Sequence, residues 1–346
     1  MNNRTVLILL GVAAVLILLA SLGSLQKEPE SAQAGRLFFP ELESILGEAN
    51  QVTILKAGNE PVATLRRTAE AWTVAERDGY PADFAKFRSG LLDLAEARVV
   101  EVKTSDPDQY GRLGVEDVSQ DTATGVAVRI ESSNDSATVL VGEAEGEYRY
   151  LRQANQAESY LVDRNPDFGT ETTDWLDTSL LDIGGERVRQ VSVTHPDRET
   201  VLVRKTDVAQ ANFSVENMPE GRELLYDSVA NVMGNVLERL RFDDVAKADE
   251  VEDAILVEFL TFDGLRVMAE ASETDDQGWV HFTADHEPAE ADLEAEPGES
   301  GPDAETEAAE LNRRLSGWTF QIPRFKYEQM TRSIEDLLQS EPEPSP

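Results

Sequence analysis

An order of short strands and one longer helix that occurs twice is the feature that most restricts the fold of this chain. The strand-like runs alternate apolar and polar residues and end at turn residues, whereas the helical runs space their apolar residues by three and four. The first copy has predicted strands at 52–57, 62–67, 71–76, 98–103, 125–132, 137–143, 147–153 and 159–163, and predicted helices at 81–97 and 173–183. The second copy has predicted strands at 188–195, 200–206, 212–217, 241–245, 254–262, 265–272, 278–284 and 318–323, and predicted helices at 220–240 and 325–338. We therefore predict an α+β fold made of two tandem copies of a strand-rich α+β unit, at 50–183 and 184–338.

Large side chains recur at matched places in the two copies. The matched pairs are Trp72 with Phe213, Tyr148 with Trp279, Tyr160 with Trp318, and Leu180–Leu181 with Leu337–Leu338. Aromatic residues at matched strand positions usually fill a repeated core, but they also build binding platforms. The candidate partner or ligand face is therefore the aromatic set Trp72, Tyr148, Tyr160, Trp279 and Trp318.

Two segments do not fit the repeated plan. Residues 285–311 carry acids at nearly every second position and no Lys or Arg, so they cannot bury enough apolar area to offset the entropy of ordering. We predict a disordered loop insertion there, because the strand run at 318–323 is still needed to complete the second copy. The tail 339–346 is also predicted to be disordered, by composition.

The N-terminal residues contain a long apolar run, VLILLGVAAVLILLASLG, at 6–23. It spans roughly 27 Å as a helix and has no polar face, which predicts a transmembrane anchor in contact with lipid. A cleaved signal peptide is the alternative. Residues 1–23 then form the cytoplasmic tip and anchor, and 24–49 a polar tether that ends in a short docking helix. The expected location is a bacterial inner membrane, with a single pass, the N-terminus inside and the bulk periplasmic or otherwise outside the cytoplasm.

Composition excludes several functions. The chain has no Cys, which removes disulfides, thiolate metal sites and a cysteine nucleophile. Its 67 Asp and Glu against 31 Lys and Arg argue against nucleic-acid binding, which needs clustered cations. The chain has neither a phosphate-binding glycine loop nor a serine-nucleophile motif, so no cofactor and no catalytic residue is expected.

Two residue groups resemble cation sites weakly. The run from Asp106 to Gly111, with Glu116 and Asp117 after it, has oxygen ligands in calcium-loop style, but Pro107 breaks the pattern and a turn is favoured. The three histidines, at 195, 281 and 286, lie in turn, strand and loop contexts that do not predict a metal site.

Three motifs resemble the family called domain of unknown function 4340, a group of bacterial envelope proteins with one membrane span. They are Gly-Tyr-Pro-Ala-Asp at 79–83 before an apolar helix, Tyr-Gly-x-Leu-Gly-Val at 110–115, and the closing stretch 311–338. The resemblance extends from about residue 50 onward. It implies integral membrane partners, because members are often encoded beside ABC-transporter components and gliding-type auxiliary proteins, and it implies no catalytic residues.

The resulting functional hypothesis is a non-enzymatic, membrane-anchored accessory or scaffold subunit of a membrane complex. Two alternatives remain open: an envelope hydrolase or carbohydrate-binding protein that uses carboxylates, and a cation-binding or adhesion module.

Overall fold

The computed structural model describes residues 34–249, 253–287 and 303–340. They form a strand-rich α+β structure that divides into two compact units, residues up to Leu176 and residues from Asp177 onward. In the described ranges no helix is long and apolar enough to cross a membrane. The predicted anchor at 6–23 lies outside the described residues.

Within its described residues, the first unit contains two α-helices and nine strands. The helices are α1 (Leu42–Glu48) and α2 (Phe84–Glu96). The strands are β1 (Ala49–Lys56), β2 (Glu60–Arg67), β3 (Trp72–Val74), β4 (Tyr80–Pro81), β5 (Val99–Val102), β6 (Val126–Ser132), β7 (Ser136–Glu145), β8 (Tyr148–Gln153) and β9 (Ser159–Val162). They form one antiparallel sheet in the order β4-β3-β2-β1-β6-β7-β8-β9-β5.

Both faces of the first sheet are buried over its centre. One face carries fully buried Val52, Ile54 and Val128. The opposite face is covered by the long connection 103–125, whose Tyr110, Val115 and Val118 pack with sheet residues into one apolar cluster. The β1 and β6 runs therefore contain consecutive apolar residues as well as alternating ones, as expected for strands buried on both sides.

The second unit contains ten strands and three α-helices within its described residues. The strands are β10 (Ser179–Leu181), β11 (Val188–Thr194), β12 (Thr200–Arg204), β13 (Ser214–Glu216), β14 (Leu240–Arg241), β15 (Asp244–Lys247), β16 (Ile255–Thr261), β17 (Leu265–Thr274), β18 (Gln277–His286) and β19 (Trp318–Ile322). The helices are α3 (Asn231–Gly234), α4 (Ala304–Leu315) and α5 (Arg324–Met330). The main sheet has the order β13-β12-β11-β16-β17-β18-β19-β15, and β10 pairs separately with β14.

The strand orders coincide over eight strands when β1 is matched with β11, and the edge strand β4 of the first sheet has no counterpart among the described strands of the second. An irregularity in the pairing fixes the register: the β1–β6 ladder shifts between Ala49 and Gln51, and the β11–β16 ladder shifts between Val188 and Gln190. Counting outward from this shift matches Trp72 with Phe213, as the sequence predicts.

The same register changes the other predicted pairs. Trp279 matches Tyr150 rather than Tyr148, and Tyr160 matches Phe320 rather than Trp318.

The predicted match of Leu180–Leu181 with Leu337–Leu338 also changes. Isolated bridges join Ala82 to Leu176 and Leu224 to Leu338, so Trp175–Leu176 occupies the place of Leu337–Leu338. The two compact units accordingly divide at Leu176, before the position 183 taken from the sequence.

Two predicted helices are wrong. Residues 173–183 form a 3-10 turn at Thr172–Trp175 followed by strand β10, because Ser179 and Leu181 pair with β14. Within 220–240 only Asn231–Gly234 is α-helical. The Leu225 backbone donates to Leu337 (2.9 Å) and Leu224 bridges Leu338, so these backbone groups pair with a distant segment rather than within a helix.

The C-terminal elements need smaller corrections. The acidic stretch predicted as disordered at 285–311 includes the end of β18 and the first residues of α4, and only 288–302 lies outside the described residues. The predicted closing helix 325–338 ends at Met330 and resumes as a 3-10 turn, because Ser333 donates its backbone and hydroxyl hydrogens to Asp336 (2.8 Å each). In the tail, 341–346 lies outside the described residues, while Gln339 donates its backbone hydrogen to Glu223 (2.9 Å).

Candidate functional site

Trp72 lines a surface pocket of about 430 Å³ at the β3 side of the first sheet. Its ring is half-buried and lies 4.9 Å from the Phe87 ring, between centroids. The adjacent hairpin is closed by Thr68, whose hydroxyl accepts from the backbone of Ala71 (3.1 Å) and donates to its carbonyl (2.8 Å). The resulting surface is aromatic with a polar rim, which suits an apolar side chain of a partner better than a charged ligand.

Phe84 forms the other wall of this pocket and is 53% exposed. It is the first residue of α2, directly after Asp83, whose carboxylate caps the helix by accepting from the Lys86 backbone (3.0 Å). Phe84 lies three residues before Phe87 in the helix, yet it does not share the burial of that residue. Only Phe87, Gly90 and Leu94 of α2 are buried.

The second unit exposes an aromatic ring at the matched position. The Asp83 backbone donates to Trp175 (2.9 Å) in the first unit, and the Leu225 backbone donates to Leu337 (2.9 Å) in the second. Phe84 and Tyr226 are therefore matched, and Tyr226 is 50% exposed. Single exposed apolar residues are ordinary, but the same exposure at matched positions of two units is not explained by packing. We call Phe84 and Tyr226 the aromatic pair.

Tyr160 is a core residue of the first unit rather than part of a face. Its ring is buried and lies 5.7 Å edge-on from Phe38. Its hydroxyl donates to Glu158 Oε2 (2.8 Å) and accepts from Arg36 Nη2 (3.2 Å). Burial, together with the bond to Glu158, raises the pKa of Tyr160 to about 12.

The other three predicted aromatics are not brought together within either unit. Tyr148 is exposed and three residues from Leu151, the cross-strand partner of Tyr160, so it lies on the opposite sheet face. Trp279 pairs with Gln321, three residues from Trp318, so these two also lie on opposite faces. The Trp318 ring is covered by Lys247, whose Nζ is 3.4 Å from the ring centroid. Trp72 is the member of the predicted set that lines the pocket of the first unit.

Comparison with known proteins identifies the family. The family described as "Domain of unknown function (DUF4340)" matches residues 72–258, more than half of the 346-residue chain. This chain belongs to the DUF4340 family. No curated protein and no solved structure matches it. The matched stretch begins at Trp72 and ends in β16, so it contains the 103–125 connection and the aromatic pair.

The weak cation sites of this DUF4340 protein have structural explanations. The Asp106 carboxylate accepts from the Asp108 backbone (3.1 Å) and caps a 3-10 turn. The ring nitrogens of His281 and His195 lie at hydrogen-bond distance from the carbonyls of Trp318 (2.8 Å) and Arg332 (3.4 Å). Across residues 34–249, 253–287 and 303–340, no three His, Asp or Glu side chains are grouped so that they could hold a metal ion.

Sequence reasoning missed a second surface of the DUF4340 chain. Leu256 and Met268 are 51% and 38% exposed on the face of the second sheet opposite its core, beside a depression of about 390 Å³. Strand alternation carries the signal, because buried Val257 and Val267 place their neighbours Leu256 and Met268 on the face where polar residues are expected.

Proposed function

We propose that this DUF4340 chain is a non-enzymatic accessory or scaffold subunit of a membrane complex, and that it holds protein partners through the aromatic pair. The observation that carries the proposal is the exposure of Phe84 and Tyr226 at matched positions of the two units. Aromatic rings are the side chains that most often anchor protein–protein interfaces, because they bury much area with few rotatable bonds.

The proposal includes tandem duplication as the origin of the two units. Its support is the common strand order, the shared pairing shift at Ala49 and Val188, and the matched bridges at Leu176 and Leu338. A duplicated binding surface would let one chain hold two similar partner segments, which raises the effective concentration of the second contact.

The proposed location is a bacterial inner membrane, anchored by residues 6–23 with the two units outside the cytoplasm. Family resemblance favours ABC-type transport or a gliding-type system as the complex, so the expected partners are integral membrane proteins.

The test is co-purification of the full chain from its host in mild detergent. Replacing the aromatic pair, Phe84→Ser with Tyr226→Ser, should reduce recovery of the partner by about tenfold or more, since each lost anchor typically costs over 1 kcal/mol. The melting temperature should stay unchanged, because both rings are about half exposed. Phe325→Ser is the matched control, an aromatic 57% exposed on α5 and outside the pair. Equal partner loss in the control and the pair variant, or full recovery with the pair variant, would contradict the proposal.

A further inference from the structure

One face of the first sheet is covered by the chain itself. In the connection 103–125, Tyr110, Val115 and Val118 pack on Leu55, Ala127 and Leu140 of the sheet. The cover is held by polar contacts as well: Arg152 Nε donates to the Val115 carbonyl (2.9 Å), and the Glu143 backbone donates to the Leu113 carbonyl (2.9 Å). The Arg152 guanidinium also lies 4.4 Å from the centre of the Tyr110 ring.

The matched face of the second sheet has no such cover among the described residues. The register places Thr194, Leu256 and Glu270 where the first sheet has Leu55, Ala127 and Leu140. The connection at the matched place, between β15 and β16, is much shorter and runs only from 248 to 254. We call the surface formed by Thr194, Leu256, Met268, Glu270 and Trp279 the open face.

The open face carries larger apolar side chains than the matched, covered face of the first sheet. Leu256 stands where the first sheet has a buried Ala127, and Met268 stands where it has Thr138. Large apolar side chains on an uncovered sheet face are less stable than buried ones, because burying apolar area stabilises by about 25 cal/mol per Å². Such a face is typical of an interaction surface rather than of a solvated one.

The charge on the open face restricts what could bind there. Glu270 replaces the buried Leu140, and no ion pair of Glu270 occurs within the described ranges. Nearby Arg266 contacts Glu258 (3.8 Å) and also Glu287. An occupant that carries a Lys or Arg beside its apolar residues would complement Glu270.

The backbone of the occupant cannot come as close as the cover does in the first unit. At Gly142 a Cβ would lie 2.1 Å from the Leu113 carbonyl oxygen, so the close approach there requires glycine. The matched residue in the second unit is Ser272. The occupant must therefore bind through its side chains and stand further from β17.

We propose that the open face binds a segment of another protein in which aromatic and aliphatic side chains lie beside a basic residue. The segment takes the place that residues 103–125 occupy on the first sheet. This surface is separate from the aromatic pair, so either proposal can fail while the other stands.

The experiment uses the full chain in detergent and two synthetic peptides of equal length. The first peptide is residues 106–118 with Asp106, Asp108, Glu116 and Asp117 changed to Lys, and the second is the unchanged acidic sequence. Anisotropy of the labelled peptides should show saturable binding of the basic peptide and at least about tenfold weaker binding of the acidic one.

Variants of the chain assign this binding to the open face. Leu256→Ser with Met268→Ser should weaken the basic peptide by about tenfold, and Glu270→Lys should remove the preference for the basic peptide. Leu92→Ser, at an exposed leucine of α2, is the control and should bind as the parent does. Folding of each variant is checked by its melting temperature, which should hold because the replaced side chains are exposed.

Three results would overturn the proposal. The first is equal binding, or none, of the two peptides. The second is concentration-dependent self-association that is lost in the Leu256→Ser, Met268→Ser variant without peptide binding, which would make a second copy the occupant. The third is binding of the parent but not of this variant to phosphatidylglycerol vesicles, with no peptide bound, which would make the face a lipid surface.

Discussion

At the scale of single residues, some aromatic side chains of this protein are covered by other parts of the chain and others are exposed. Tyr160 has the chain's own Phe38 and Arg36 against it, whereas Phe84 has a pocket beside it. Sequence alternation cannot separate these cases, since both residues sit in regular elements with apolar neighbours. The distinction depends on which distant segment packs against each ring.

Tyr160 should make the unfolding free energy depend on pH in the alkaline range. Its pKa rises from 10.0 to about 12, mainly through burial, so the folded state holds the phenol proton more tightly than the unfolded state does. The stabilisation is complete below pH 10 and is lost as pH rises toward 12. Denaturant unfolding at several pH values should therefore show a steeper loss of unfolding free energy in this window for the parent than for Tyr160→Phe.

A second tyrosine acts in the same direction. The pKa of Tyr150 is also raised to about 12, first through its hydrogen bond to Glu145. Tyr150→Phe combined with Tyr160→Phe should flatten the alkaline dependence further than Tyr160→Phe alone. Parallel curves for the parent and Tyr160→Phe between pH 10 and 12 would contradict the assignment.

At the scale of elements, helix α4 replaces a missing ladder partner. Strand β19 pairs with β18 only through Gly278 to His281. Beyond that point the Asn312 side chain of α4 forms hydrogen bonds with the edge of β18. Its Oδ1 accepts from the Ala284 backbone N–H (2.8 Å), and its Nδ2 donates to the Ala284 carbonyl (2.6 Å).

Removing this amide should destabilise the second unit. Asn312→Ala leaves the Ala284 donor and acceptor without their partner, which costs about 1–3 kcal/mol of unfolding free energy. The measurement is chemical denaturation followed by circular dichroism. Arg313→Ala, at the exposed neighbouring position, is the control and should change stability by no more than about 0.5 kcal/mol. A loss of equal size in both variants would show that the destabilisation does not come from the contact between Asn312 and Ala284.

The strands could be predicted from the sequence because apolar and polar residues alternate in them with a period of two, which is a short and local pattern. Helix α4 was hidden by its acidic residues, although Ala304, Ala308, Leu311 and Leu315 form a buried stripe at helical spacing. The predicted helix 220–240 had the opposite problem. Its apolar spacing is helical, but the backbone of Leu224 and Leu225 pairs with Leu338 and Leu337, a long-range contact that spacing does not reveal.

The candidate surfaces were only partly predictable, because exposure depends on which distant segments pack against a residue. Trp72 was found because it is a large aromatic at a repeated position. Leu256 and Met268 were missed, because their exposure depends on the absence of a covering segment that the first unit possesses at 103–125. That difference appears only once the two sheets are matched strand by strand.

At the scale of the whole molecule, the two units share one strand order and each exposes one ring of the aromatic pair, but their other exposed surfaces differ. The first has an open pocket beside Trp72, whereas the matched Phe213 of the second is buried under Lys205, whose Nζ lies 4.5 Å from the ring centroid. The second has the open face, whereas the matched surface of the first is covered. Surfaces that differ between the units would add further contacts to those of the shared aromatic pair, which supports the proposed accessory or scaffold role.

The proposed accessory role depends on the predicted topology of the chain. The uncharged run 6–23 predicts that residues 24–346 lie outside the inner membrane. An alkaline phosphatase fused after Pro346 should be active, and the chain should stay in the membrane fraction after an alkaline wash. Val15→Arg, in the middle of the run, adds about 2.5–3.5 kcal/mol to insertion and should lower both signals. An active cytoplasmic reporter at the same fusion point would contradict the predicted orientation. Release of the parent chain by the wash would contradict the predicted membrane anchor.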